Sequence, residues 1–216
     1  MSAGPTGSSP SPVPAVLLIG PTGSGKTPQG ILLERNGYGV HFDFGHELRR
    51  IAQEGGIPEA DRRLVCELLR THALLPDDRF DIAEAVLDAF LHRVRFDKAR
   101  HRLILNGLPR HAAQARDLEA CVDVKRVIVL ECDRDTVALR VGRRRRGEGL
   151  DHAGRDDDHD RAIEEKLRLY EAQTTPLIRF YEARPGTQTI RVRVEAADSD
   201  ESVHRRIVER LGRGED

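Results

Sequence analysis

Gly20-Pro21-Thr22-Gly23-Ser24-Gly25-Lys26-Thr27 (GPTGSGKT) follows the apolar run Ala15-Val16-Leu17-Leu18-Ile19 and precedes a segment of helical composition. The octapeptide has the spacing of a phosphate-binding loop, and it stands between a strand and a helix, where the physics of that pattern requires it. Its glycines let successive backbone N–H groups turn toward phosphate oxygens, and the positive end of the following helix adds to them. Lys26 brings a mobile charge to the outer phosphates, and Thr27 a hydroxyl suited to a magnesium ion. Pro28 falls in the first helical turn, where its N–H would have had no helical partner, although it removes one donor from the anion site. The loop implies a bound nucleoside triphosphate, and it implies an α/β framework to carry it.

The rest of the chain agrees with that framework. Short apolar runs at residues 15–19, 39–43, 102–105, 126–130 and 189–194 alternate with longer helical segments, the pattern of a parallel five-stranded sheet with crossover helices on both faces. Between residues 81 and 95, Ala83, Val86, Leu87, Phe90, Leu91 and Val94 recur at three- and four-residue steps and form one apolar stripe. A further helix is expected over 160–182, with Ile163, Leu167, Tyr170, Leu177, Ile178 and Tyr181 inward and a kink at Pro176. Residues 147–159 (GEGLDHAGRDDDH) have no apolar face and lie between arginine-bearing helices, so they read as a surface loop or a mobile lid. Residues 1–13, rich in Gly, Ser and Pro, read as a disordered tail before a single domain spanning 14–214.

Composition excludes several classes. The 216 residues carry 35 Lys+Arg against 36 Asp+Glu, a formal net charge of -1, which argues against a general role on nucleic acid or membrane surfaces. Cys66, Cys121 and Cys132 have no CxxC spacing and fit a reducing, cytoplasmic setting, with neither a disulfide framework nor a zinc site. The run at 15–19 is too short to span a membrane.

Three clusters refine the phosphate reading. Asn106-Gly107-Leu108-Pro109-Arg110, with Gln114 beyond it, ends the third strand; strand ends in an open parallel sheet face one crevice, so Arg110 is expected opposite the phosphate loop, where it can hold a second phosphate bidentately. Gly45-His46-Glu47-Leu48-Arg49 follows the second strand and offers another arginine. Arg140, Arg143, Arg144, Arg145 and Arg146, with Arg155 across the presumed lid, form the third cluster.

Taken with Leu74-Leu75-Pro76-Asp77, the GRDDD stretch and Tyr170-xx-Gln173-Thr174-xx-Pro176-Leu177-Ile178, these motifs resemble the adenylate kinase family of nucleoside monophosphate kinases, in its short-lid form without zinc. The resemblance covers nearly everything from Val16 to the last helix. It implies a P-loop NTPase fold with a helical acceptor-binding region at about 44–75, and a monomer that transfers a phosphoryl group from ATP to a nucleoside monophosphate with Mg2+. It further implies that Gly20, Gly23, Ser24, Gly25, Lys26, Thr27 and Pro28 hold ATP. Phe44, Gly45, Arg49, Leu74, Leu75, Gly107, Arg110 and Gln114 would hold the acceptor, Gln114 reading an adenine edge. Lys26, Arg110, Arg143, Arg146, Arg155 and Lys166 would surround the transferring group, and Thr27 would meet the metal, with Asn106 acting through water.

The chain also departs from the family. Asn106 replaces the usual Asp and brings no charge. Phe44 places a large ring, able to stack on the acceptor base or obstruct it, where a small hydroxyl residue is common. Lys166 replaces a catalytic arginine, and before the lid the match slips so that Gly142 stands in an arginine's place beside Arg143. These departures leave open a different monophosphate or small acceptor, and a nucleotide-binding regulatory protein with little turnover.

Overall fold

The computed structural model describes residues 12–71, 73, 75–151 and 160–212. Five parallel strands form one sheet: β1 (Val13–Ile19), β2 (Val40–Asp43), β3 (Leu103–Asn106), β4 (Val122–Glu131) and β5 (Gln188–Arg193). Their spatial order is β2-β3-β1-β4-β5. The chain therefore leaves β1 for one side of the sheet, returns, and crosses to the other side between β3 and β4. Strand order reverses beside β1, which puts a crevice at the carboxyl ends of the central strands.

Both faces are covered, as a parallel sheet requires. Ala15, Leu17 and Ile19 point to one side, where Phe42, Leu103, Leu105, Val127 and Val129 join them. That face is closed by α2 (Phe44–Glu54), α3 (Glu59–Thr71), α4 (Phe80–Arg93), α5 (Ala112–Leu118) and α8 (Thr175–Glu182). Val16, Leu18, Ile104, Ile128 and Leu130 point to the other side, against Leu33 of α1 (Lys26–Arg35) and Val203, Ile207 and Leu211 of α9 (Asp200–Gly212). A third, smaller cluster joins Val137 and Val141 of α6 (Arg134–Arg145) to Ile163 and Leu167 of α7 (Asp160–Leu169).

Two expectations needed adjustment. β4 begins four residues before the apolar run at 126–130, because buried Val122 and Val124 pair with Val13 and Ala15 and carry the strand past charged neighbours. Val13 is thus an inner residue of β1, although it was expected to close the tail. The single kinked helix over 160–182 is instead α7, a five-residue π turn at Tyr170–Thr174, and α8. Pro176 lies in the first turn of α8; its missing N–H and its ring oppose an ordinary helical bond to the carbonyl of Ala172, and the backbone widens over that turn. The inner face is as expected, with Leu177, Ile178 and Tyr181 buried. The tail before Pro12 and residues 152–159 of the presumed lid lie outside the described residues.

Candidate active site

The phosphate loop joins β1 to α1 through glycines at positions that strain or crowd any other residue, Gly23 at φ 76° among them. Gly25 caps α1 in the left-handed region, with φ 93°, which an L side chain rarely adopts. Gly20 is held by proximity: a Cβ there would stand 2.6 Å from Ser24 Oγ and 2.8 Å from the carbonyl oxygen of Leu130. Lys26 Nζ donates to the carbonyl oxygens of Gly20 and Pro21 at 2.7 and 2.8 Å, curling the side chain over the loop. Pro28 lies in the first turn of α1, and its ring lines a cavity beside the loop together with Gly25, Arg140, Arg143, Gly149 and Asp200.

Strand register brings the next residues to that loop. Asp43 pairs with Asn106 across β2 and β3, and Leu18 pairs with Asn106 across β1 and β3. The ends of β2 and β3 thereby meet the hydroxyl of Thr27, in the helix that the loop after β1 opens. Thr27 Oγ1 donates to Asp43 Oδ2 at 2.7 Å, while Asn106 Nδ2 lies 2.8 Å from the same carboxylate oxygen and 3.0 Å from Thr27 Oγ1. Asn106 is 4% exposed. The other carboxylate oxygen of Asp43 accepts from His46 N at 3.0 Å and caps α2, the helix that carries Arg49.

Arg49 is exposed one turn beyond Gly45, where a Cβ would lie 3.7 Å from Arg49 Nη1 and 3.5 Å from Asp43 Oδ1. Arg110 stands just past the end of β3. Its backbone N–H donates to Gln114 Oε1 at 2.9 Å, its carbonyl accepts from Thr174 Oγ1 at 3.2 Å, and its Nε donates to the carbonyl of Gly107 at 3.1 Å. Gln114 is therefore engaged through its oxygen in shaping the turn that presents Arg110.

The remaining acceptor-side residues are distributed unevenly. Gly107 has φ 81°, and a Cβ there would make ordinary contacts with Phe44 Cβ at 3.7 Å and Arg110 Nη2 at 4.0 Å, which puts this glycine beside the Arg110 guanidinium. The ring of Phe44 is turned into the main core beside Phe42, with 6.1 Å between ring centroids, and the residue is 3% exposed. Leu75 is likewise buried in that core. Leu74 and Arg155 lie outside the described residues, as does the acidic triplet at 156–158.

On the lid side, Arg143 Nε and Arg146 Nε both donate to the Glu148 carboxylate, at 3.1 and 2.7 Å. Arg143 also reaches the carbonyl of Ala196 at 3.3 Å, whereas Arg146 is largely exposed. Lys166 is half-buried on α7. Sequence reasoning had counted Arg140 only as one of a group; the fold gives it a defined place. It donates to the carbonyl of Gly23 at 3.1 Å and to that of Asp198 at 2.9 Å, and pairs with Asp200 at 3.3 Å, joining α6, the phosphate loop and the start of α9. Asp43 had been given no part in the site at all. Its position at a strand end, three residues before an N–H that it caps, was the available signal.

A phosphate loop at the reversal point of a five-stranded parallel sheet, with Arg49 and Arg110 following the ends of two neighbouring strands, defines a nucleotide-binding protein of the P-loop class. The family model described as adenylate kinase matches residues 18–185. An adenylate kinase of Rhodopirellula baltica is 30% identical over 201 residues, covering 91% of this chain and 94% of its own. One of Thermus thermophilus is 29% identical, over 92% and 97%, and one of Xanthomonas oryzae pv. oryzae is 31% identical, over 92% and 99%. The chain belongs to the adenylate kinase family.

Proposed function

We propose that this chain catalyses ATP-dependent phosphoryl transfer to AMP, forming two ADP. Family membership supports the reaction and the acceptor, and nothing in the matched relatives favours another monophosphate or a binding-only protein. The observation that carries the reading is the meeting of three strand ends: β1 feeds the phosphate loop, β2 feeds Asp43 and Arg49, and β3 feeds Asn106 and Arg110.

Gly20, Gly23, Ser24, Gly25 and Lys26 would receive the donor phosphates, with Pro28 bounding the cavity beside them. Arg49 and Arg110 would hold the acceptor phosphate, beside Gly45 and Gly107. Gln114 would take the adenine edge while its oxygen holds the Arg110 backbone, and Phe44, whose ring is turned inward, would offer only its Cβ side. An acceptor phosphate oxygen attacks the γ-phosphorus as the bond to the β–γ bridging oxygen breaks, and catalysis consists of alignment and charge neutralisation. Lys26, Arg110 and Arg143 would supply that charge, together with Lys166 and Arg146.

A magnesium ion fits the donor side on the chemistry of its oxygens. Thr27 and Asp43 bring hard oxygen atoms to one point, and the Asn106 amide N–H group holds both in place. Among the described residues no group of three or more His, Cys, Asp or Glu could hold a metal, which suits an ion carried on the nucleotide phosphates and met by one or two protein groups. When bound, Mg2+ supplies neutralising charge between the phosphates. Among the described residues no helix is long and apolar enough to cross a membrane, and the unpaired cysteines support a cytoplasmic setting. A monomer is the simplest assembly that this one-chain, two-nucleotide site requires.

A bisubstrate analogue, two adenosines joined by five phosphates, tests the two-site reading. At a hundredfold excess over its Kd it should stabilise the fold by about 2.7 kcal/mol, raising Tm by roughly 5–10 °C for a chain of this size. No shift at saturation counts against two adenine sites.

A further inference from the structure

We infer that Asp43, on β2, is the carboxylate that positions the Thr27 hydroxyl and the metal-bearing phosphates of ATP, the charge that Asn106 on β3 cannot supply. The inference rests on the Mg2+ reading above and extends it to a particular residue. Three observations carry it. Asp43 Oδ2 accepts the Thr27 Oγ1 proton at 2.7 Å, so the hydroxyl proton is turned away and, beside the bond from Asn106, one lone pair is left for a cation. Asn106 Nδ2 donates to the same carboxylate oxygen at 2.8 Å and to Thr27 Oγ1 at 3.0 Å, so the neutral amide orients the carboxylate without adding charge. Asp43 and Asn106 are register partners on adjacent parallel strands, so the two positions look onto the loop from neighbouring places at the same level of the sheet.

The geometry also explains why the carboxylate tolerates this place. Its second oxygen caps α2 through His46 N, where the positive end of a helix favours negative charge. One oxygen is thereby fixed on the acceptor-bearing helix and the other on the donor loop. Asp43 acts through Thr27 and the hydration of the ion, which makes it a positioning residue.

The test exchanges the two groups. Asp43→Asn keeps the size of the side chain and an oxygen able to cap α2. The double variant Asp43→Asn/Asn106→Asp moves the charge one strand over and keeps one donor and one acceptor in the pair. Mn2+ affinity of each protein–ATP complex is read by electron paramagnetic resonance, and ATP affinity in EDTA by calorimetry. Asp43→Asn should lose roughly 10–100-fold in Mn2+ affinity, the range for groups that act on a metal through its ligands, while ATP affinity in EDTA should not fall, because a carboxylate that repels bare phosphates is gone; the double variant should recover most of the loss. Unchanged Mn2+ affinity in Asp43→Asn, or a double variant no better than the single, overturns the inference while leaving the metal site standing. A wild-type complex that binds Mn2+ no better than free ATP does overturns both.

Discussion

Replacing Arg110 with alanine removes the donor whose orientation the fold controls most closely. Its backbone is held from both sides, by Gln114 Oε1 on the N–H and by Thr174 Oγ1 on the carbonyl. Its Nε is tied to Gly107 at 3.1 Å, which fixes the plane of the guanidinium. A planar donor held in this way matches phosphate oxygens with parallel bonds. Loss of one preorganised donor aimed at developing charge costs about 3–4 kcal/mol, or roughly two to three orders of magnitude in kcat. Arg110→Lys keeps the charge without the fork or the Gly107 anchor. Hydrogen bonds to charged groups are worth about 1.5–3 kcal/mol, so that variant should lose roughly 10–100-fold. The assay is coupled ADP formation at saturating ATP, Mg2+ and AMP, with ATP affinity measured separately and expected to stay near normal, because the phosphate loop is untouched. Near-normal kcat in Arg110→Ala would refute the reasoning.

Other outcomes follow from packing and burial. Gly20→Ala places a methyl against Ser24 Oγ and the Leu130 carbonyl; overpacking of about 1–3 kcal/mol should weaken ATP binding roughly tenfold or more, and an unchanged calorimetric affinity would show that the loop gives way. Glu47, 2% exposed, accepts from Arg50 at 2.8 Å and Arg93 at 2.6 Å, pinning α2 to α4. Because Arg93 can turn to water, Glu47→Ala should cost about 2 kcal/mol, below the full penalty for breaking a buried pair, and lower Tm by roughly 4–8 °C; an unaltered Tm would deny the pin. Burial pushes the Cys132 thiol from the ordinary 9.0 up to about 11. The folded value lies above the unfolded one, so this contribution is fully present below the unfolded value and is lost as pH rises toward the folded one. Cys132→Ala should therefore flatten the decline of the urea midpoint over that window, and an identical decline in both proteins would contradict the assignment.

The framework was readable because its signals are local. The strands are short apolar runs whose residues alternate between two covered faces, and the phosphate loop is contiguous from Gly20 to Thr27. The long helix was readable as an apolar face, but the turn at Tyr170–Thr174 was not. Pro176 announces a disturbance without saying whether the backbone bends or widens. The site was legible where arginines and glycines stand in motifs and obscure where strand register makes the contact. Nothing local joins Asp43 to Thr27 and Asn106, which meet only because β2, β3 and β1 lie side by side. Arg140 reaches Gly23 across 117 positions, and within a run of arginines its charge alone did not set it apart. Phe44 misled in the opposite direction: a ring expected at the acceptor base is turned into the core, because the helix that begins there packs its apolar side on Phe42.

In the proposed reaction a donor and an acceptor nucleotide lie together at the carboxyl ends of the strands and a phosphoryl group passes between them. It is tested most directly by incubating the purified chain with ATP, Mg2+ and each nucleoside monophosphate in turn, and following the products by 31P NMR. ADP should form with AMP, two for each ATP consumed, with little transfer to the other monophosphates. ATP bound tightly with no transfer to AMP, or transfer to a different monophosphate in its place, would contradict it.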